Sequence, residues 1–139
     1  MEDLERFVAA QDPLWSQIEA ELRASHKTTH WMWFVFPQLR DLGRSQVARH
    51  YGLASLEDAR AYLAHPVLGA RLRAAVGWIL AVDDRPAHRI FGSPDDLKLR
   101  SCLTLFAAAA PHETLFEQAL VRYYDGKPDA ATLDLLASA

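Results

Sequence analysis

Two short stretches of the sequence hold side chains that could do chemistry together. In "TTHWMWFVFPQL", residues 28–39, His30 and Gln38 flank a run containing Trp31, Trp33, Phe34 and Phe36. An indole face left open at the edge of such a run is a platform on which a planar ligand can stack. A histidine and an amide beside it need hydrogen-bond partners once buried, so they could orient that ligand. In "SPDDLKLRS", residues 93–101, Asp95 and Asp96 form a carboxylate pair suited to acid–base work, while Lys98 and Arg100 could meet a phosphate. Six residues are therefore the candidates: His30, Asp95 and Asp96 as catalytic groups, with Trp33, Gln38 and Lys98 as ligand-binding groups. Hydrolysis with one of the three catalytic candidates as base is the most concrete reaction they could support.

Simpler physics accounts for the same residues. A buried aromatic side chain removes about 150–250 Å² from water, a gross stabilisation of about 4–6 kcal/mol as an upper bound, so the aromatic run also reads as core. A single histidine commonly satisfies a neighbouring carbonyl. Acids in a helix's first turn complement its positive end, and Asp96 with Arg100 makes an i, i+4 pair. That same helix start would bind an anion if the two aspartates turned aside.

Several functions are excluded by composition and spacing. Of the six histidines at 26, 30, 50, 65, 88 and 112, only His26 and His30 fall at the H-x-x-x-H spacing, and they lie in the short polar stretch "SHKTTH" where helical patterning fades rather than on one helix face, so no metal is expected. Glycine-rich phosphate loops, the dinucleotide fingerprint and the G-x-S-x-G elbow are all missing, and no cofactor is expected. Net charge is −3, with fifteen dispersed Lys and Arg, which argues against nucleic acid as a partner. Cys102 is the single cysteine; its apolar neighbours make it an inert packed thiol, and a reducing compartment suits it. With an acidic N-terminus and no apolar run near the roughly 20 residues that span a bilayer, the expected location is the cytoplasm, away from membranes.

The elements that must position the candidates are all helical. One domain over 1–139, all-α with about seven or eight helices and short links, follows from repeated 3.6-residue patterning and the absence of sustained alternation. Asp12 before Pro13 should cap a second helix carrying Ile18 and Leu22; Ser45, Ser55 and Asp129 should cap later ones. Ser93 followed by Pro94 and two acids is the strongest start, launching a helix with Leu99, Cys102, Leu103 and Phe106 facing the core. The aromatic run should be a short buried helix ending at Phe36, because Pro37 would clash with the Trp33 carbonyl. Gly52, Gly92 and Gly126 should terminate helices.

The segments "HWMWFVFPQLRDLGRS", "AYLAHPVLGARL" and "IFGSPDDLKLRSCLTLF" resemble the bacterial family known as domain of unknown function 1810, members of which are sometimes mislabelled calpastatin. The resemblance runs from Leu4 to Leu136 and implies a multihelical fold; it implies no activity. Calpastatin-like inhibition would demand a long disordered chain, at odds with a sequence that is half hydrophobic and capped throughout. The expected function is binding of a small polar or nucleotide-like ligand between the two motifs. The alternative is a non-enzymatic interaction module or homodimer, using apolar faces around Leu115, Phe116, Tyr123 and Tyr124.

Overall fold

A computed structural model describes residues 3–82 and 84–138. Among them are ten α-helical segments and no strand. In chain order these are α1 (Glu5–Gln11), α2 (Trp15–Arg23), α3 (Met32–Val35), α4 (Gln46–His50), α5 (Leu56–Ala64), α6 (Leu68–Leu80), α7 (Ala87–Phe91), α8 (Asp95–Ala109), α9 (Leu115–Tyr124) and α10 (Ala130–Ser138). Three of the ten have five residues or fewer, which leaves seven longer helices and agrees with the all-α reading.

The fold is organised around α8. Residues 101–106 are buried all round the helix, and Leu99, Cys102, Leu103, Leu105 and Phe106 are fully sealed. A helix apolar on every face must be surrounded; α5, α7, α9 and α10 pack on α8, while α6 bridges α5 and α9. Burial also pushes the Cys102 thiol well above its ordinary pKa, as expected of an inert packed thiol.

The aromatic run folds as its proline dictates. α3 is a single turn ending at Val35, and the Phe36 N–H closes it on the Met32 carbonyl at 3.1 Å. Trp31, Met32, Phe34, Val35 and Phe36 enter the core, and Trp33 stays partly exposed. Beyond Pro37 the chain runs extended past residue 53: the Arg40 N–H meets the Leu53 carbonyl at 2.8 Å, and the Leu53 N–H meets the Gln38 carbonyl at 3.0 Å. Gly52 is obligatory in this crossing, because a Cβ there would lie 2.3 Å from the Arg40 Cα.

Three of the expected caps form. Ser45 accepts from the Ala48 N–H at 3.0 Å, Ser55 from the Asp58 N–H at 3.2 Å, and Asp129 from the Thr132 N–H at 3.0 Å. Gly92 closes α7, and Gly126 follows α9, both at φ of +74°.

Two caps do not form as the sequence suggests. Asp12 caps nothing: residues 12–14 make a 3₁₀ turn that runs on from α1, and the Asp12 carboxylate pairs with Arg71 at 2.8 Å. Ser93 is displaced because Gly92, at its positive φ, turns its carbonyl onto the Asp96 N–H at 2.9 Å and takes the bond the serine would have received. α8 therefore starts at Asp95, with Pro94 at the cap position after a cis peptide.

Of the residues named for the interaction alternative, Leu115, Tyr123 and Tyr124 are half-buried against the core. Phe116 is fully buried, and the Tyr123 and Tyr124 hydroxyls donate to the Ile79 and Asp96 carbonyls.

Candidate functional site

The short polar link between α2 and α3 is built from one carboxylate outward. Glu21, only 5% exposed, accepts from the Gln17 amide (2.8 Å), the Thr28 N–H (2.7 Å), the Thr29 N–H (3.0 Å), the Thr29 hydroxyl (2.6 Å) and the Trp31 indole N–H (3.0 Å). Burial alone would raise its pKa, but the hydrogen bonds from Thr29, Gln17 and Thr28 outweigh it and bring it down to about 2. Glu21 is thus an ionised anchor that fixes the loop and sets the Trp31 ring.

The loop in turn delivers Lys27. Its N–H bonds the Ile90 carbonyl at 2.8 Å, and its ammonium meets the Thr29 carbonyl at 2.6 Å, Asp95 Oδ2 at 2.9 Å and the Trp31 ring face at 5.0 Å. With its side chain 6% exposed, Lys27 is a nearly sealed cation whose charge is compensated by Asp95. The other oxygen, Asp95 Oδ1, lies 3.8 Å from Lys98, and Lys98 sits over the Trp33 ring, 5.5 Å from its centre.

The two motifs therefore meet. Trp33, Gln38 and Lys98 line one cleft, with Met32, Phe36 and Tyr51 as its apolar walls. The Gln38 side-chain amide has no hydrogen-bond partner among the described residues. The cleft is narrow, about 10 Å³, room for roughly one water while Lys98 lies across it. A roomier cleft of about 210 Å³ lies between Leu39, Ser55 and the α10 residues Leu135 and Leu136; it contains none of the six candidates.

The remaining candidates are placed differently. Asp95 is next to the cleft but is already engaged by Lys27. Asp96 accepts from the Leu97 N–H at 3.0 Å, faces His88 Nδ1 at 3.7 Å and does not line the cleft. His30 is exposed and does not line the cleft, because Thr29 and Trp31 on either side of it are both tied inward to Glu21. Lys27 and Glu21 are the residues that sequence reasoning passed over. Both lie in or beside a polar stretch with no periodic signal; Lys27 is revealed by its distant partner Asp95, and Glu21 by the donors from residues 17–31 that the folded link turns onto it. Among the described residues, no group of His, Cys, Asp or Glu could hold a metal ion, and no helix is long and apolar enough to cross a membrane.

Helices wrapped around a sealed central helix, with an indole, an amide and two lysines gathered at one edge, define an all-α protein with a charged aromatic cleft. The chain belongs to the family of proteins of unknown function DUF1810, whose model matches residues 1–136. Among solved structures it is similar to the conserved hypothetical protein Rv1873 from Mycobacterium tuberculosis, at 52% identity and a TM-score of 0.96, over 97% of this chain and 96% of that one. No curated protein matches it.

Proposed function

We propose that this protein binds a small planar ligand carrying an anionic group, with the ring stacked on Trp33 and the anion on Lys98. The observation that carries the reading is the Lys98 ammonium, on a side chain 26% exposed, resting over a partly exposed indole next to an amide without a hydrogen-bond partner among the described residues. Each of these groups supplies one part of recognition: a π face, a charge and a directional hydrogen bond. For a ligand to enter, the Lys98 side chain must swing off the ring, a rotamer change on a flexible four-carbon stem.

The geometry favours binding over hydrolysis. A base must be free to take a proton at the reacting atom. Asp95 is committed to Lys27, Asp96 to its own helix and His88, and His30 lies outside the cleft.

A thermal-shift titration with aromatic carboxylates and mononucleotides tests the reading. Occupancy at a hundred times the dissociation constant adds about 2.7 kcal/mol of stability. A saturable rise that disappears in Lys98→Met supports it, and an equal rise in that variant contradicts it.

A further inference from the structure

One carboxylate faces two ammoniums at the rim of the cleft: Asp95 Oδ2 is 2.9 Å from Lys27 and Oδ1 is 3.8 Å from Lys98. The two pairs are unequal. Lys27 is nearly sealed and also donates to the Thr29 carbonyl, whereas Lys98 is more exposed and, among the described residues, its ammonium is held by the longer contact and the indole face alone.

From this arrangement we infer that Lys27 is the residue that makes the cleft selective for anions, acting through Asp95. By neutralising Asp95 from the buried side, it leaves Lys98 as an uncompensated charge available to a ligand. At Asp95 itself two ammoniums face one carboxylate, so the Lys98 charge nearest the Trp33 edge has no carboxylate of its own. Without the Lys27 charge, Asp95 would draw Lys98 into a full ion pair and cancel its charge at the ring. Asp95 is then a competitor of the ligand for Lys98, the reverse of the base suggested by its place in the sequence. The inference rests on the proposed function in taking the Trp33 face as the ligand's seat, and it deepens that reading by assigning the ligand's charge to a residue outside the cleft.

Fluorescence quenching at Trp33 tests it without a cognate ligand. Trp31 is fully buried, so Trp15→Phe with Trp78→Phe leaves Trp33 as the accessible indole. Iodide is the anionic probe and acrylamide the neutral one. In this background the ratio of iodide to acrylamide quenching constants should fall at least about twofold in Lys27→Met and in Lys98→Met, by loss of a unit charge within a Debye length of the ring. It should return to the background value in Lys27→Met/Asp95→Asn, where Lys98 again stands alone, and rise above it in Asp95→Asn.

A structural role for Lys27 would not be rescued by removing its partner. An unchanged ratio in Lys27→Met, or equal losses in Lys27→Met and the double variant, overturns the inference. Should Lys27→Met fail to fold, Asp95→Asn decides, since a ratio at or below background there is equally contradictory. If this pattern holds while planar anions produce no thermal shift, the ligand reading fails on its own; if planar anions bind and the pattern is absent, only the role of Lys27 fails.

Discussion

Glu21 illustrates how much organisation one side chain can carry. Five donors converge on a carboxylate that is almost out of water, and four of them come from Thr28, Thr29 and Trp31 in the link that brings Lys27 to Asp95, the fifth being Gln17 of α2. Because its folded pKa is depressed from 4.5 to about 2, its contribution to stability is fully present above pH 4.5 and is lost as pH falls from there towards 2. Chemical-denaturation curves across that window should show a decline in the unmodified chain that is reduced in Glu21→Gln. At neutral pH the same variant should lose about 2–3 kcal/mol, since it weakens several charge-assisted bonds at once. Gln11 is a second buried polar residue of this kind, donating to the Phe34 carbonyl and the Tyr62 hydroxyl. Gln11→Leu should cost about 1–3 kcal/mol in the same assay by leaving the carbonyl unsatisfied. Neither residue stands out in sequence. Gln11 ends a short amphipathic helix and is buried by partners from distant positions, whereas the donors to Glu21 lie within ten residues and converge only once the unpatterned link has folded back on α2.

Helix boundaries were the most legible feature, and where they failed the cause is local competition for a backbone donor. Ser45, Ser55 and Asp129 each accept the bond that their place before a periodic segment suggests, and truncating any of them to alanine should cost about 1 kcal/mol. Ser93 has the same sequence signature but no cap bond, since the Gly92 carbonyl reaches Asp96 first. Ser93→Ala should therefore leave the unfolding midpoint nearly unchanged, within about 0.5 kcal/mol, and a loss as large as at Ser55 would mean that its hydroxyl caps α8 after all. At Asp12 the competitor is a side chain, Arg71, on α6. The α3 turn shows the opposite case, in which a hard constraint within the sequence decided the outcome: Pro37 sets its end, and Phe36 closes it.

At the scale of the molecule, the packing of α8 brings residues some sixty positions apart to one edge. The core positions Leu99, Cys102, Leu103 and Phe106 of that helix are readable from periodicity, because they fall on one apolar stripe; the burial of Ser101, Thr104 and Leu105 on its other faces is set by the helices packed around it. The meeting of the aromatic run with the start of α8 was expected from the chemistry of the two motifs, and Trp33, Gln38 and Lys98 are indeed neighbours. What the sequence could not supply is which way each side chain turns. His30 faces outward because its neighbours are pulled inward, and Asp95 is partnered by a lysine from a loop with no pattern of its own. The crossing of residues 38–40 with 52–53 is similarly a tertiary feature, and Gly52→Ala should destabilise the fold by more than about 2 kcal/mol by forcing apart two backbones that touch.

The central claim is that the Trp33 ring face, once Lys98 swings off it, is a ligand's seat and that Lys98 supplies the charge that meets the ligand. The most direct measurement follows the Trp33 indole N–H and the Lys98 ammonium by nuclear magnetic resonance during a titration with a planar aromatic carboxylate and its neutral amide. The account predicts saturable shifts of both signals with the carboxylate and much weaker ones with the amide. Shifts of equal size and affinity for the two compounds, or none at either residue while signals elsewhere respond, would contradict it.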